Sequence, residues 1–250
     1  YNPTDAVSPY YFWNCTAFPQ LEGTRFIYPM SRGTDHFGVK YFDWPVNEGI
    51  DLSWTKNYED ASSIFAVDCA YDFFGAYDVN LNRGIVQVAK HNEHPGKKAW
   101  TWGQGEYGRI SMNNLGDKNP EYIEVQSGPL QTQSDYGKLP PGALVSWKEY
   151  WYPVHGLNNG FEYATEKLAI QSVHHENDVD LLMISTENIE GANCILKANG
   201  VELDKKKINL SPEASLHINL NKGNNDTVTL VVKSVDNNII AEFRTPLPLP

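Results

Sequence analysis

The sequence is poor in the features by which many functions are first identified. Its 250 residues include only three cysteines, which are widely spaced and form no CxxC pair: Cys15, Cys69 and Cys194. At most one disulfide could form, and we expect three buried free thiols rather than a disulfide framework or a zinc–thiolate site. No apolar run approaches the roughly 20 residues of a spanning helix, so no membrane insertion is expected.

Positive charge is also scarce. The chain has 20 Lys and Arg against 31 Asp and Glu, a formal net charge of -11, and its basic residues are scattered. A nucleic-acid partner is therefore not expected. Because the sequence starts Tyr1-Asn2-Pro3, we expect any signal peptide to be absent from it. Localisation is left open, with the periplasm or the extracellular space favoured over the cytoplasm.

Familiar catalytic motifs are missing as well. The sequence has no GxSxG, P-loop or HExxH pattern, which argues against serine hydrolases and nucleotide-dependent enzymes. The glycine-rich residues 103–108 are interpreted as a tight loop, because no helical pattern follows to supply an anion-binding terminus. His91 and His94 have an HxxH spacing but lack a third ligand, so we expect no metal and no other cofactor.

Strand periodicity is what the sequence does contain. Apolar and polar residues alternate in short runs bounded by turn residues, and no window of a dozen residues carries a convincing helical stripe. The pattern predicts an all-β protein with few and short helices. Asn199-Gly200 between apolar flanks predicts a type I′ hairpin. The predicted strands include residues 84–89, 122–126, 143–147, 167–173, 180–185, 193–198, 215–220, 227–235 and 239–243.

Acidic residues among aromatic rings are the first candidates for chemistry. The chain has 14 Tyr and 7 Trp, and aromatic surfaces commonly line clefts for sugars. Glu124, Glu149 and Asp51 lie in aromatic surroundings, where partial desolvation raises a carboxyl pKa and creates a plausible general acid. Two such groups facing one sugar are what glycoside cleavage needs. The alternative is that each is a surface carboxylate, or an ion-pair partner of Lys97, Lys98 or Arg109.

The candidate substrate-binding residues centre on residues 95–109, PGKKAWTWGQGEYGR. Strand alternation puts the side chains of Lys98, Trp100 and Trp102 on one face, and the glycines that follow allow the chain to turn back. We expect a carbohydrate ligand to be held by His91, Lys98, Arg109, Trp44, Trp100, Trp102, Gln126 and Trp151. The alternative for each ring is that it fills a β core.

Several motifs resemble a known family. WPVNEGIDLSW, DFFGAYD, PGKKAWTWGQGEYGR, YIEVQSGP and EYWYP resemble an uncharacterised bacterial family, domain-of-unknown-function family 5107. More distantly, YNPTDAVSPYYFWNCTAF is similar to aldose 1-epimerases. The resemblance implies a galactose mutarotase-like β-supersandwich over residues 1–245, here apparently lacking its N-terminal strands, followed by a linker-like tail at 246–250. It also implies that a missing N-terminal segment or a C-terminal tetratricopeptide repeat domain could be a partner.

The resemblance bears on activity as well. Epimerases use a His as acid and a Glu as base, but Asn14-Cys15 stands where their Asn-His pair is expected, and Lys148 rather than Glu149 falls opposite their Glu in the simplest register. We therefore predict a carbohydrate-active domain, with glycoside hydrolysis or related glycan processing by Glu124 and Glu149. Asp51 is a further catalytic candidate. The alternatives are a non-catalytic carbohydrate-binding module and, more weakly, an aldose 1-epimerase-type isomerase.

Overall fold

A computed structural model describes residues 1–116 and 121–250 and shows an almost entirely β protein in that part of the chain. In chain order the strands are β1 (Ser8–Tyr10), β2 (Asn14–Pro19), β3 (Thr24–Ile27), β4 (Arg32–Thr34), β5 (Tyr41–Asp43), β6 (Val46–Asn47), β7 (Ile50–Asp51), β8 (Ser62–Val67), β9 (Phe73–Asp78), β10 (Arg83–Val88), β11 (Gly96–Thr101), β12 (Tyr122–Gly128), β13 (Gly137–Leu139), β14 (Tyr150–His155), β15 (Tyr163–Ala164), β16 (Leu168–His174), β17 (Asp178–Ser185), β18 (Ile189–Ala198), β19 (Val201–Leu210), β20 (Leu216–Asn221), β21 (Val228–Lys233) and β22 (Ile239–Thr245). The helix α1 spans Glu106–Leu115, and a single 3-10 turn spans Thr55–Asn57.

Four antiparallel sheets stack as layers. Layer 1 has the strand order β2-β12-β11-β8-β4-β5, and layer 2 has β14-β10-β9-β3. Layer 3 has β15-β16-β17-β20, and layer 4 has β19-β18-β21-β22. The pairs β1-β13 and β6-β7 form small separate ribbons. The large antiparallel sheets confirm the all-β, supersandwich prediction.

Apolar side chains between neighbouring layers hold the stack together. Phe74 and Ala76 of β9 pack with Ile123 and Val125 of β12 between layers 1 and 2. The alternate residues of β9, which include Phe73, face layer 3. A third cluster, rich in Leu, Ile and Val, fills the space between layers 3 and 4. Layers 2 and 3 are therefore covered on both faces.

Strand β17 shows how the sequence encodes a doubly covered layer. Val179, Leu181 and Met183 are fully buried in the cluster against layer 4. The intervening Leu182 and Ile184 pack in the cluster against layer 2. Because successive side chains of a strand point to opposite faces, a strand buried on both sides needs a continuous apolar run.

The predicted hairpin at Asn199-Gly200 is confirmed. Both residues have positive φ, 49° and 81°, as a type I′ turn requires, and the flanking Ala198 and Val201 pair across β18 and β19. Most predicted strands are also confirmed, but residues 143–147 form no strand. In that segment, the ring of Trp147 packs on Phe12 and His94.

The sequence predicts that residues 103–108 form a loop with no helix after it. Residues 103–105 do form a loop, but the expectation that no helix follows is wrong. The chain turns at Gly103, which has φ 76°, and α1 then begins at Glu106 with Gly105 as its N-terminal cap. Only Gly108 and Met112 of the helix are buried. So few apolar contacts leave a weak helical pattern in the sequence.

The three cysteines are free thiols, as predicted. The prediction that all are buried is wrong, because Cys15 is exposed and Cys69 is only partly buried, whereas Cys194 is buried. No helix of the described residues is long and apolar enough to cross a membrane.

The last residues of the chain lie against the body of the protein. The backbone N–H of Leu247 donates to Oε1 of Glu162 at 2.6 Å, and the hydroxyl of Tyr71 donates to the carbonyl of Pro248. These contacts attach the tail to layers 2 and 3. The division of the chain into a unit of residues 1–245 and a tail stays a prediction.

Candidate functional site

The face of layer 1 that points away from layer 2 gathers several predicted site residues; we call it the outer face. In the antiparallel register, Lys98 lies opposite Gln126, and Gln126 lies opposite Cys15. Two residues further along β11, Trp100 lies opposite Glu124. Directly paired residues project to the same side of a sheet. The structure therefore brings Lys98, Trp100, Glu124 and Gln126 together.

A chain of hydrogen bonds joins the polar groups of the outer face. The Lys98 ammonium donates to Oε1 of Gln133 at 2.6 Å, and Nε2 of Gln133 donates to Oε1 of Gln126 at 2.8 Å. Nε2 of Gln126 then donates to Oε2 of Glu124 at 2.5 Å. An ammonium and a carboxylate thus mark the two ends of one network whose amide orientations are fixed by their partners.

Burial shapes the electrostatics of this network. Desolvation lowers the pKa of Lys98 to about 8, although the Glu124 carboxylate and Cys15 oppose the shift. Desolvation also raises the pKa of Cys15 to about 11, and the nearby Glu124 carboxylate adds to this. Near neutral pH the Cys15 thiol therefore stays protonated, whereas the Lys98 ammonium is close to its titration range.

Aromatic rings border the network. The Trp100 and Trp102 rings meet edge to face with centroids 5.3 Å apart, and Trp102 meets Tyr122 at 6.3 Å. The Lys98 ammonium lies 5.3 Å from the Trp100 ring centroid and 5.6 Å from that of Phe65. Trp100 and Trp102 remain partly exposed, so ring surface is available for a ligand beside the polar groups.

Glu149 is not part of this face. Its Oε1 accepts hydrogen bonds from Asn14 Nδ2 at 2.6 Å and Trp147 Nε1 at 3.1 Å. Its Oε2 accepts them from Ser127 Oγ at 2.5 Å and Trp151 Nε1 at 3.0 Å. Asn14 and Ser127 alternate with Cys15 and Gln126 along their strands, so they point toward layer 2. The structure does not bring Glu149 together with Glu124.

The environment of Glu149 favours its charged form. Desolvation raises the pKa of this carboxyl, but the hydrogen bonds from Ser127, Asn14 and Trp147 outweigh that effect and hold the pKa below its usual value. Its side chain is 8% exposed. A buried carboxylate with four donors is a structural anchor, and it lacks the raised pKa that a general acid needs.

His94 completes the surroundings of Glu149. Its Nε2 lies 3.6 Å from Oε1 of Glu149 and 3.2 Å from Oγ of Ser127, and its ring stacks on Trp147 with centroids 5.4 Å apart. Desolvation lowers the pKa of His94 to about 4, against the attraction of Glu149. The imidazole is therefore neutral near pH 7.

Two of the predicted sugar-stacking tryptophans lie toward the interior. Trp44 is only 7% exposed and packs edge to face on Tyr28 with centroids 5.4 Å apart, so it belongs to the core between layers 1 and 2. Trp151 donates its indole N–H to Glu149 and meets Phe74 at 6.5 Å. These rings fill core space, the alternative that the sequence left open.

The remaining predicted residues are dispersed. Asp51 accepts from the backbone N–H of Ser53 at 2.9 Å and from its hydroxyl at 2.6 Å, which makes it a turn-forming residue at the end of the β6-β7 ribbon. Arg109 is exposed on α1. His91 Nδ1 lies 2.7 Å from Oδ1 of Asp72, at a separate cavity. The structure does not bring these three to the outer face.

Sequence reasoning missed Gln133, the residue that connects Lys98 to Gln126. It lies in the loop between β12 and β13, where no periodicity indicates the direction of a side chain. Cys15 was not among the predicted site residues, yet it shares the outer face with Glu124. Among the described residues, no group of three or more His, Cys, Asp or Glu side chains is arranged to hold a metal ion.

Comparison with known proteins identifies the N-terminal part of the chain. The family model described as a domain of unknown function (DUF5107) matches residues 1–154, which include layer 1 with the whole outer face and all of layer 2 except the last residue of β14. The match ends within β14, so the sheets of layers 3 and 4 lie beyond it.

Two solved structures are similar to parts of this chain. A TPR-domain containing protein from Parabacteroides distasonis aligns with 29% identity and a TM-score of 0.52 over 63% of this chain and 27% of its own. A protein described as an aldose 1-epimerase from Klebsiella pneumoniae aligns with 14% identity and a TM-score of 0.40, over 62% of this chain and 41% of its own. This chain thus spans less than half the length of either relative.

Proposed function

The chain belongs to the DUF5107 family, and we propose that the outer face of layer 1 binds carbohydrate. The observation that carries the proposal is the juxtaposition of Trp100 with the Lys98–Gln133–Gln126–Glu124 network on one face. Sugars present apolar C–H faces and a rim of hydroxyls. An aromatic ring beside fixed donors and acceptors complements both.

The proposed ligand contacts are distributed along the face. Trp100 and Trp102 supply ring surface, and the carboxylate oxygens of Glu124 accept hydrogen bonds from sugar hydroxyls. Gln126 and Lys98 hold these groups in place through their own hydrogen bonds, which lowers the conformational entropy lost on binding. The domain acts, in this proposal, as a carbohydrate-binding module.

A glycan array and titration calorimetry test this proposal. The wild-type chain is expected to bind at least one glycan, and Trp100→Ala is expected to weaken that binding by roughly tenfold or more, the typical loss of a stacked ring. Trp54→Ala is the matched control, because Trp54 is also partly exposed but lies against Arg25 and Lys56. Equal loss in both variants, or no binding by the wild type, would contradict the proposal.

A second candidate is an acid–base enzyme of the isomerase type. The lowered pKa of Lys98, about 8, favours it, because an amine that titrates near neutral pH can donate and recover a proton. Glu124 would act as the base. Turnover would be detected as exchange between the anomers of common aldoses by saturation-transfer NMR, and it should be lost in both Glu124→Gln and Lys98→Met.

Glycoside hydrolysis by Glu124 and Glu149 receives less support. Retaining enzymes separate their two carboxyls by about 5–5.5 Å and inverting enzymes by about 6.5–9.5 Å across one sugar. Glu124 and Glu149 lie on opposite sides of β12. The lowered pKa of Glu149 does not suit the general acid of either a retaining or an inverting enzyme. If Glu149→Gln abolished a measured glycosidase activity without loss of folding, hydrolysis would become the first candidate.

The similarity to a TPR-domain containing protein bears on partners. We propose that a repeat domain of the same protein accompanies the carbohydrate-binding domain. The test is pulldown of this chain with the remainder of its own full-length protein. If the two parts do not associate, this proposal is contradicted.

A further inference from the structure

A cavity of about 890 Å³ lies where layer 2 meets layer 3, away from the outer face. Its wall combines the start of β9, the end of β10, the segment before β14, residues 163–166 at β15, and Ile240 of β22. Its volume is within the range of roughly 300–1,000 Å³ that is typical of small-molecule sites. Nothing in the proposed function of the outer face uses it.

Aromatic side chains of this cavity are held in place by groups behind them. Trp147 stacks on His94 and donates its indole N–H to Glu149, so its ring orientation is fixed. Tyr163 stacks on Phe243 with centroids 4.3 Å apart and an interplanar angle of 8°. Rings fixed before binding lose little entropy when a ligand packs on them.

Polar groups of the cavity are oriented as well. His91 Nδ1 lies 2.7 Å from Oδ1 of Asp72, and the backbone N–H of His91 donates to the same oxygen at 2.9 Å. With Nδ1 engaged by a carboxylate, Nε2 of His91 is the ring nitrogen that remains for a ligand. A polar anchor therefore lies on the same wall as the fixed rings.

The charges of the cavity largely balance. Lys90 pairs with Glu93 at 3.2 Å, and His91 pairs with Asp72 at 2.7 Å. The lining carries three carboxylates against two lysines and a histidine. Such a site has no strong field of one sign, so it does not favour a phosphate, a polyanion or a cation.

We infer that this cavity is a second ligand site, which binds a short neutral oligosaccharide. Sugar rings pack on Trp147 and on the tyrosine rings of the wall, and a hydroxyl group bonds to Nε2 of His91. The inference does not depend on the outer face. The cavity draws its walls from layers 2 and 3 and from Ile240 of β22, and part of it lies in residues beyond the DUF5107 match.

Blocking substitutions test the inference. Ala70→Trp and Ser146→Trp each introduce a large ring at an exposed position of the lining, where folding should tolerate it. Maltotriose, cellotriose and triacetylchitotriose are the probes, titrated by calorimetry and by NMR of the tryptophan indole N–H signals. We expect at least one probe to bind, to shift the Trp147 indole signal, and to lose affinity at least tenfold in both blocked variants.

Ala214→Trp is the matched control, because Ala214 is exposed in the second half of the chain and is not part of the lining. Trp100→Ala separates the two sites. If a probe loses affinity only in Trp100→Ala, it binds the outer face and the cavity inference is overturned. If it loses affinity only in the blocked variants, the cavity inference stands, and the proposed function of the outer face is decided by the glycan array with Trp100→Ala. No binding of any probe by the wild type overturns the inference.

Discussion

Glu124 and Glu149 lie on opposite sides of one strand. The carboxylate of Glu124 accepts from Gln126, whereas that of Glu149 accepts from the next residue, Ser127. Because neighbours along a strand point to opposite faces, these two hydrogen bonds place the carboxylates on different faces of layer 1. One carboxylate is therefore available to a ligand of the outer face, and the other anchors the interior.

The role of Glu149 as an anchor predicts a stability effect. Glu149→Gln places an amide NH₂ against one pair of donors, either Asn14 and Trp147 or Ser127 and Trp151, which leaves buried donors unsatisfied. We expect the free energy of unfolding to fall by roughly 2–4 kcal/mol in urea denaturation. The exposed Glu190→Gln serves as the control and should change it by less than about 0.5 kcal/mol. Unchanged stability in Glu149→Gln would show that the four hydrogen bonds contribute little.

Lys98 should titrate near neutral pH. Its pKa of about 8 predicts a transition of the ¹³Cε signal of this lysine near that pH, assigned by Lys98→Arg. In Glu124→Gln the pKa should drop further, because the carboxylate that stabilises the ammonium is gone. Glu106→Gln, on the exposed helix, should leave it in place. A Lys98 pKa above 10 in the wild type would contradict the desolvation of this side chain.

His94 should make the fold sensitive to mild acid. Its pKa is about 4 in the folded protein, against an ordinary value of 6.5, so between these pH values the unfolded chain binds a proton that the folded chain does not. The free energy of unfolding therefore falls as the pH decreases from about 6.5 to about 4, by up to about 3 kcal/mol from this residue.

Substitution of His94 tests the assignment. His94→Phe keeps a ring against Trp147 and removes the titration, so its unfolding free energy should depend less on pH over this range, as measured by urea denaturation at several pH values. The exposed His155→Phe should retain the wild-type dependence. A pH dependence that is unchanged in His94→Phe would assign the acid sensitivity to other groups.

Two glycines should respond differently to alanine. A Cβ at Gly75 would lie 2.0 Å from the backbone carbonyl oxygen of Ile85, so Gly75→Ala forces β9 and β10 apart and should cost about 3 kcal/mol or more. Gly200 has φ 81° but open space around its Cβ position, so Gly200→Ala should cost only about 1 kcal/mol through backbone strain. Thermal unfolding compares the two, and equal losses would contradict the packing of layer 2.

Much of the fold could be predicted because its signals are local. The alternation in residues 122–126 predicts a strand and also which of its residues share a face. The φ preferences of Asn199 and Gly200 predict a turn without reference to the rest of the chain. The helix α1 could not be predicted from its pattern, because it buries only Gly108 and Met112.

The candidate site was predictable only in part. Lys98, Trp100, Glu124 and Gln126 lie on two paired strands, so alternation and register bring them together. Gln133 completes their network from a loop. The aromatic neighbours of Glu149, Trp147 and Trp151, predict a catalytic role for it, but these rings donate hydrogen bonds that stabilise its charge.

The sequence by itself determined the all-β class, the hairpin turns, the family and the alternation of side chains along each strand, because these depend on residues close together in the chain. Only the tertiary structure decided which face of each strand is covered and by what. Asn14 meets Glu149 across 135 positions, and Trp44 enters the core through contacts with other strands. The burial and the pKa of a side chain depend on such distant partners, and its possible role in function follows from them.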